Sequence, residues 1–179
     1  MMRISVLASL ACAFLPLQVN AQNWSETGKV IYVDDGDTVV LLRSDNSRLK
    51  IRLSDIDAPE SMHGHKRPGQ PLSQKATDYL KSLVHGKIVN AHCYEYDRYK
   101  RGVCTITIDG QSVNLKMVDA GLAWANRANP RYVRDTRVYE AEVVAKKQAM
   151  GVWGLPNQVA PWRWRKDRWN DAACEGAEQ

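Results

Sequence analysis

Two groups of β-forming residues, each folded about a short polar turn, limit what this chain can become. Residues 29–43 cluster Val30, Ile31 and Val33, then Thr38-Val39-Val40-Leu41-Leu42. The polar run Ser44-Asp45-Asn46-Ser47 separates them from Leu49-Lys50-Ile51-Arg52-Leu53. That pattern predicts a β-hairpin. A second predicted hairpin has arms Ile88–Tyr96 and Gly102–Ile108 about the turn Asp97-Arg98-Tyr99-Lys100. Between them lies a Pro-, Gly- and His-rich loop from Ala58 to Pro71. Ala76, Tyr79, Leu80, Leu83 and Val84 follow at helical spacing, with Gly86 as a stop.

After the second hairpin the periodicity turns helical. A short helix is predicted over Val113–Ala120, and a loop over Arg127–Arg134. A longer helix should start near Asp135 as N-cap, with Val138, Ala141, Ala145 and Ala149 on its apolar face. Strands, a helix, strands and then helices imply an α+β fold: a five-stranded OB-type β-barrel with about three helices.

The N-terminus reads differently. Met1-Met2-Arg3 is a basic start, Ile4–Leu17 is an uncharged apolar run, and Val19-Asn20-Ala21 ends in small residues. This is the pattern of a secretory signal peptide over residues 1–21. The run is shorter than the ~20 residues of a membrane span. A retained anchor and lipidation at Cys12 are the alternatives, although Ser9-Leu10-Ala11 is a poor lipobox. Residues 22–27 read as a short lead, 28–155 as the folded domain and 156–179 as a Trp/Arg-rich tail that docks on it with its arginines solvated. The mature chain is expected to be secreted or periplasmic, monomeric and without stable membrane association.

Removing the leader leaves 158 of 179 residues, enough for one domain, and lowers the formal charge from +5 to +4. A small positive excess suits an anionic partner. The only Phe, Phe14, lies in the leader, so Val, Ile, Leu, Ala, Tyr and Trp must build the core. Three cysteines remain, Cys93, Cys104 and Cys174. Cys93 and Cys104 face each other across the second hairpin, so an oxidising compartment makes their disulfide the expected pairing, with Cys174 the alternative partner.

Acidic residues gather where the first hairpin opens. If its turn centres near Asp45 and Asn46, Asp37 lies opposite roughly residue 54. It is then near Asp55 and Asp57, with Arg52 on the partner strand. Asp35 and Asp37 should share one strand face, and Glu60 follows beyond Pro59. Ionised carboxylates this close need a cation between them, and hard oxygen donors select Ca²⁺ or Mg²⁺. Taken alone, Asp35-Gly36-Asp37 reads more readily as a plain turn.

Three ordered motifs carry a resemblance. Val33-Asp34-Asp35-Gly36-Asp37-Thr38-Val39 is the first. Ile51-Arg52-Leu53 with Ile56-Asp57-Ala58-Pro59-Glu60 is the second, and Asp97-Arg98-Tyr99-Lys100-Arg101-Gly102 the third. Together they resemble the staphylococcal nuclease family from about Gly28 to Trp153. The resemblance implies an OB-fold nuclease that hydrolyses DNA and RNA with Ca²⁺, leaving 5′-hydroxyl and 3′-phosphate ends. It implies that Asp37 and Asp57 bind calcium and that the Ala58 carbonyl contributes; the family often has Thr there. It implies Glu60 as general base, Arg52 and Arg101 as phosphate-binding arginines, and Asp35 as an acidic neighbour. Lys100 departs from the Gly often found before the second arginine. Lys66 and Arg67 are candidates for substrate-backbone contacts, and Tyr99 for stacking on a base. His63 and His65 read as part of a solvated basic loop. A non-catalytic OB module for nucleic acid and an interaction protein with a structural calcium are the competing classes.

Overall fold

The computed structural model describes residues 23–169. The leader read at 1–21, with Cys12 and Phe14, and Cys174 in the tail lie outside the described residues. Among those described, no helix is long and apolar enough to cross a membrane.

Eight strands form in chain order: β1 (Trp24–Val33), β2 (Thr38–Leu42), β3 (Arg48–Leu53), β4 (Ile56–Asp57), β5 (Ile88–Tyr96), β6 (Gly102–Ile108), β7 (Gln111–Ser112) and β8 (Trp124–Ala125). The main sheet runs β3-β2-β1-β5-β6-β7, and a parallel β3–β6 pairing closes it into a five-stranded mixed barrel. The helices are α1 (Ser73–Val84), α2 (Val113–Asp119), α3 (Arg137–Lys147) and the single-turn α4 (Pro161–Trp164). The α+β barrel expected from the sequence is the observed fold.

β1 explains how one strand serves two neighbours. Its first half pairs with β5 (Trp24↔Cys93 through Lys29↔Ile88), and its second half with β2. Ile31 bulges between the Val30 and Tyr32 pairs and bends the strand. Gly28 sits at the changeover, where a Cβ would lie 2.3 Å from the Leu42 carbonyl oxygen. The barrel therefore starts at Trp24. The boundary read at Gly28, with 22–27 as a lead, is corrected: Trp24, Glu26 and their neighbours are a working edge of the sheet, which alternates too weakly in sequence to be seen.

The barrel interior and its cover are aliphatic. Val30, Val39, Leu41, Ile51, Leu53, Ile56, Leu80, Ile106 and Met117 are fully buried. Asn114 pins α2 to the barrel: it donates to Ser54 O at 2.8 Å and accepts from the Ile106 amide at 3.1 Å. α3 begins at Arg137 rather than directly after Asp135. Thr136 makes no side-chain cap, and Asp135 Oδ1 instead accepts the Arg137 amide at 3.1 Å. On the face read as apolar, Glu142 is fully buried and pairs with Arg127 (2.7 Å) and Lys146 (2.8 Å). It also accepts the Ala125 amide, tying α3 to β8.

Candidate active site

The first hairpin has the pairing Thr38↔Arg52, so Asp37 stands opposite Leu53, one residue earlier than expected. The Leu53 amide donates to Asp37 O at 2.8 Å. Residues 34–37 are a turn between β1 and β2, not a strand. Asp35 and Asp37 therefore come together through an Asx-type bond, Asp37 N–H to Asp35 Oδ1 at 3.0 Å, rather than by sharing a strand face. Gly36 makes this possible. A Cβ there would lie 2.7 Å from the Ala58 Cβ and 2.8 Å from the Ala76 Cβ. The turn is thus pressed onto α1 and the 57–60 segment.

Arg52 is the hub. Nη2 donates to Asp57 Oδ1 at 2.9 Å and lies 3.4 Å from Asp37 Oδ2. Nη1 donates to the carbonyls of Leu53 (2.9 Å) and Ile56 (3.1 Å). The side chain is only 14 % exposed, and Asp57 only 2 %. Asp37 also accepts from Thr38 Oγ1 (3.0 Å) and from the Ala58 amide (3.2 Å). Ala58 thus lies inside the cluster, where its N–H is engaged.

Asp55 does not join this rim. It is fully buried at φ 68° and points the other way. It accepts the Ser54 hydroxyl (2.7 Å) and the Asp135 amide (3.1 Å), while its own N–H donates to Tyr132 O (2.9 Å). Its role is to pin the 129–135 loop. A left-handed residue reverses the side-chain alternation on which the sequence expectation relied.

Arg101 arrives from the second hairpin. Its Nη1 is 3.5 Å from Thr38 Oγ1, and Nε and Nη2 grip Asp97 Oδ2 at 2.8 and 2.7 Å. The Cys93–Cys104 disulfide closes that hairpin. Tyr99 is 64 % exposed at the tip, with Arg101 Cζ 5.4 Å from its ring centroid. Lys66 lies in the exposed 62–68 loop with His63 and His65. Arg67 stacks over Trp169 at 5.4 Å, and His63 meets the same indole edge-on.

One residue of the cluster was missed. Arg165, in a π-turn that follows α4, donates from Nη2 to Asp57 Oδ2 at 2.8 Å and from Nη1 to Asp57 Oδ1 at 3.2 Å. Nη1 also pairs with Glu60 Oε1. The tail docks as expected, but this arginine is not solvated. Arg163, Arg165 and Arg168 stand in a similar Trp/Arg context, so nothing local singled it out.

These surroundings tune the carboxyls. Burial raises Glu60 to about 7; Arg165 opposes the rise, and Asp57 and Asp37 add to it. Burial and Asp37 raise Asp35 to about 7 as well. Burial also pushes Asp37 upward, but Arg52, the Ala58 amide and Arg101 outweigh it and hold Asp37 below its ordinary value. Neighbouring carboxyls separated in this way can divide proton-accepting and charge-holding roles.

Asp35, Asp37, Ala58, Pro59 and Glu60 line a recess of about 20 Å³, room for one water-sized body. Among the described residues no three Asp, Glu, His or Cys side chains are set to hold a common ion. The donor chemistry nevertheless suits a hard cation, since Asp37 and Asp57 are carboxylate oxygen donors that could share one. As arranged, two guanidinium groups hold those carboxylates.

The family model described as staphylococcal nuclease homologue matches residues 50–154, more than half of the chain. The chain belongs to the staphylococcal nuclease family. An uncharacterised endonuclease of Haemophilus influenzae is 32 % identical over 161 residues, covering 90 % of this chain and 84 % of that one. Micrococcal nuclease of Shigella flexneri is 35 % identical over 174 residues, with 90 % and 95 % covered. Protein ParB of Escherichia coli is 33 % identical over 176 residues, with 93 % and 94 % covered. The segment that matches the staphylococcal nuclease model contains Arg52, Asp57, Glu60 and Arg101; Asp37 precedes it and Arg165 follows it.

Proposed function

We propose that this chain is a calcium-dependent endonuclease that hydrolyses phosphodiester bonds of DNA or RNA with little sequence specificity. The observation that carries the reading is the convergence of Asp37, Arg52, Asp57 and Glu60 on one rim of the barrel, with Arg101 approaching from the second hairpin. The nuclease and endonuclease names of its relatives support the same activity.

Asp37 and Asp57 would hold the cation, with the Ala58 carbonyl contributing. When bound, the cation supplies a Lewis acid for a phosphoryl oxygen and a template for the reactants. Glu60, raised to about 7, accepts the proton of the attacking water once ionised. Arg52 and Arg101 offer multi-donor forks to the phosphoryl oxygens, where charge builds up in the transition state. Asp35 lies against Asp37 and holds the turn that presents it. Cleavage leaves 5′-hydroxyl and 3′-phosphate ends. Tyr99 at the hairpin tip, and Lys66 and Arg67 in the exposed loop, would meet the strand beyond the scissile bond. The leader exports the chain to the periplasm or the medium, where it works as a monomer.

Digestion of plasmid DNA and of RNA, with Ca²⁺ and with chelator, tests this. Cleavage is expected only with the metal, and to fall about 10²–10⁴-fold in folded Glu60→Gln protein, the range for losing a general base. Undiminished cleavage in chelator would refute the mechanism. Binding without cleavage would leave an OB module for nucleic acid.

A further inference from the structure

The C-terminal segment does more than dock. The Trp164 indole donates to Pro68 O at 2.9 Å, and the Trp169 indole donates to the same carbonyl at 3.2 Å. Arg67 and His63 pack on Trp169. Buried Gln70 joins the two segments: it donates to Val159 O at 2.9 Å and accepts the Glu60 amide at 2.9 Å. The tail and the 60–70 loop are thus one unit built around Glu60. That unit aims Arg165 at the carboxylates.

Arg165 takes both oxygens of Asp57 and one of Glu60. Asp57 Oδ1 already accepts Arg52, so the two guanidinium groups leave this nearly buried carboxylate little room for a further partner. A guanidinium and a hard cation answer the same need, positive charge beside carboxylates withdrawn from water. Both cannot fill the Asp57–Glu60 side of the rim at once. Arg52 is anchored by two backbone carbonyls and is the harder to move. Arg165 is 35 % exposed and sits on the short helical turns of the tail rather than on the barrel, so it is the one that yields.

We infer that Arg165 is a tethered counter-cation that occupies Asp57 and Glu60 in the metal-free protein and must leave them for a divalent ion to bind, so that the tail sets the metal affinity of the site. This rests on reading the rim as a metal-dependent nuclease site. The competition keeps the carboxylates paired when metal is scarce. It also makes the apparent affinity depend on the fraction of molecules whose tail is released. A site open in about one molecule in ten binds about tenfold more weakly than one permanently open.

Calorimetric titration of the full chain with Ca²⁺ tests the inference without measuring activity. Arg165→Gln is expected to tighten Ca²⁺ binding about tenfold. Arg165→Lys should fall between Arg165→Gln and wild type, since it keeps the charge but loses the fork. Trp169→Ala removes one of the tail's two indole bonds to Pro68 without touching a carboxylate, and should tighten binding in the same direction. This variant carries the test if Arg165→Gln does not fold. Equal or weaker affinity in Arg165→Gln overturns the inference, as does tighter binding in Trp169→Ala alone when both variants fold. If wild type binds Ca²⁺ and cleaves while the variants match it, this inference alone fails. If wild type and variants all fail to bind Ca²⁺, the metal-dependent reading fails with it.

Discussion

Arg52 lies on β3 and Arg101 in the turn just before β6, and these two strands are neighbours in the parallel ladder, where Ile51 pairs with Gly102 and Arg52 with Val103. The two arginines are held in different ways. Arg52 is fixed by two carbonyls and two carboxylates drawn from three segments of the barrel. Among the described residues, Arg101 is fixed by Asp97 within its own turn and touches the rest of the site only through Thr38. One arginine is placed by the fold and the other by its local loop. A defect at the first should therefore spread into stability, whereas a defect at the second should remain in the hairpin.

Arg52→Ala is the largest test of that contrast. It removes a phosphate donor and leaves Asp37 and Asp57 short of a counter-charge. The expected loss is about 10²–10³-fold in cleavage rate, and about 3–5 kcal/mol in metal-free stability, as for breaking a buried ion pair. Added Ca²⁺ should restore part of the stability, since it replaces the missing charge. Urea denaturation with and without Ca²⁺, alongside the rate, checks both. A stability loss no larger than that of Arg101→Ala would erase the distinction.

The second hairpin has its own restraint, the Cys93–Cys104 crosslink eleven residues apart. Replacing both cysteines by Ser should lower stability by about 3 kcal/mol on the chain-entropy model. Cleavage by the protein that remains folded should fall far less than in Arg52→Ala, because Asp97 still holds Arg101. Denaturation midpoints and initial rates measured on the same samples separate the two effects.

Asp97→Asn attacks the local anchor directly. Burial pushes the Asp97 carboxyl up, but the Arg101 amide and guanidinium outweigh it, so it lies below its ordinary 3.8. An acid depressed in the folded state contributes stability that is present above its unfolded value. That contribution is lost as pH falls through the folded value. Wild type should thus lose stability relative to Asp97→Asn only below about pH 4. Above it the difference should be flat, which a pH series of urea midpoints reads directly. A difference that keeps growing from pH 5 to 8 would place its origin elsewhere.

The same contrast governs what the sequence makes legible. Both arms of the second hairpin and its turn were readable, because Tyr96-Asp97…Gly102 is a local pattern. The Asp37–Arg52 pairing was readable to within one residue, since hairpin register follows from the turn. Three features were not. Trp24–Thr27 gains its strand character only by pairing with β5, more than sixty residues away. Asp55 turns inward because φ becomes positive there, and local chemistry gives no sign of it. Glu142 interrupts an apolar face, and only the arrival of Arg127 and Lys146 makes its burial tolerable. Arg165 belongs with these: its role depends on where the tail lands.

Lys100 sharpens the comparison at the smallest scale. It adopts φ 62° at the turn position before Arg101, where an L side chain is strained by about 1–2 kcal/mol. Its amide still closes the turn onto Asp97 O at 2.9 Å. Glycine would relieve the strain but adds about 0.5–1 kcal/mol of unfolded-chain entropy. Lys100→Gly should therefore stabilise by only about 0.5 kcal/mol, the difference of those two effects. The turn should keep its shape, and cleavage should stay within about twofold, because Asp97 rather than Lys100 sets the position of Arg101. A urea midpoint that falls instead would mean that Lys100 makes a compensating contact. A rate that rises tenfold would mean that this turn, unlike the cradle of Arg52, holds its arginine short of the working position.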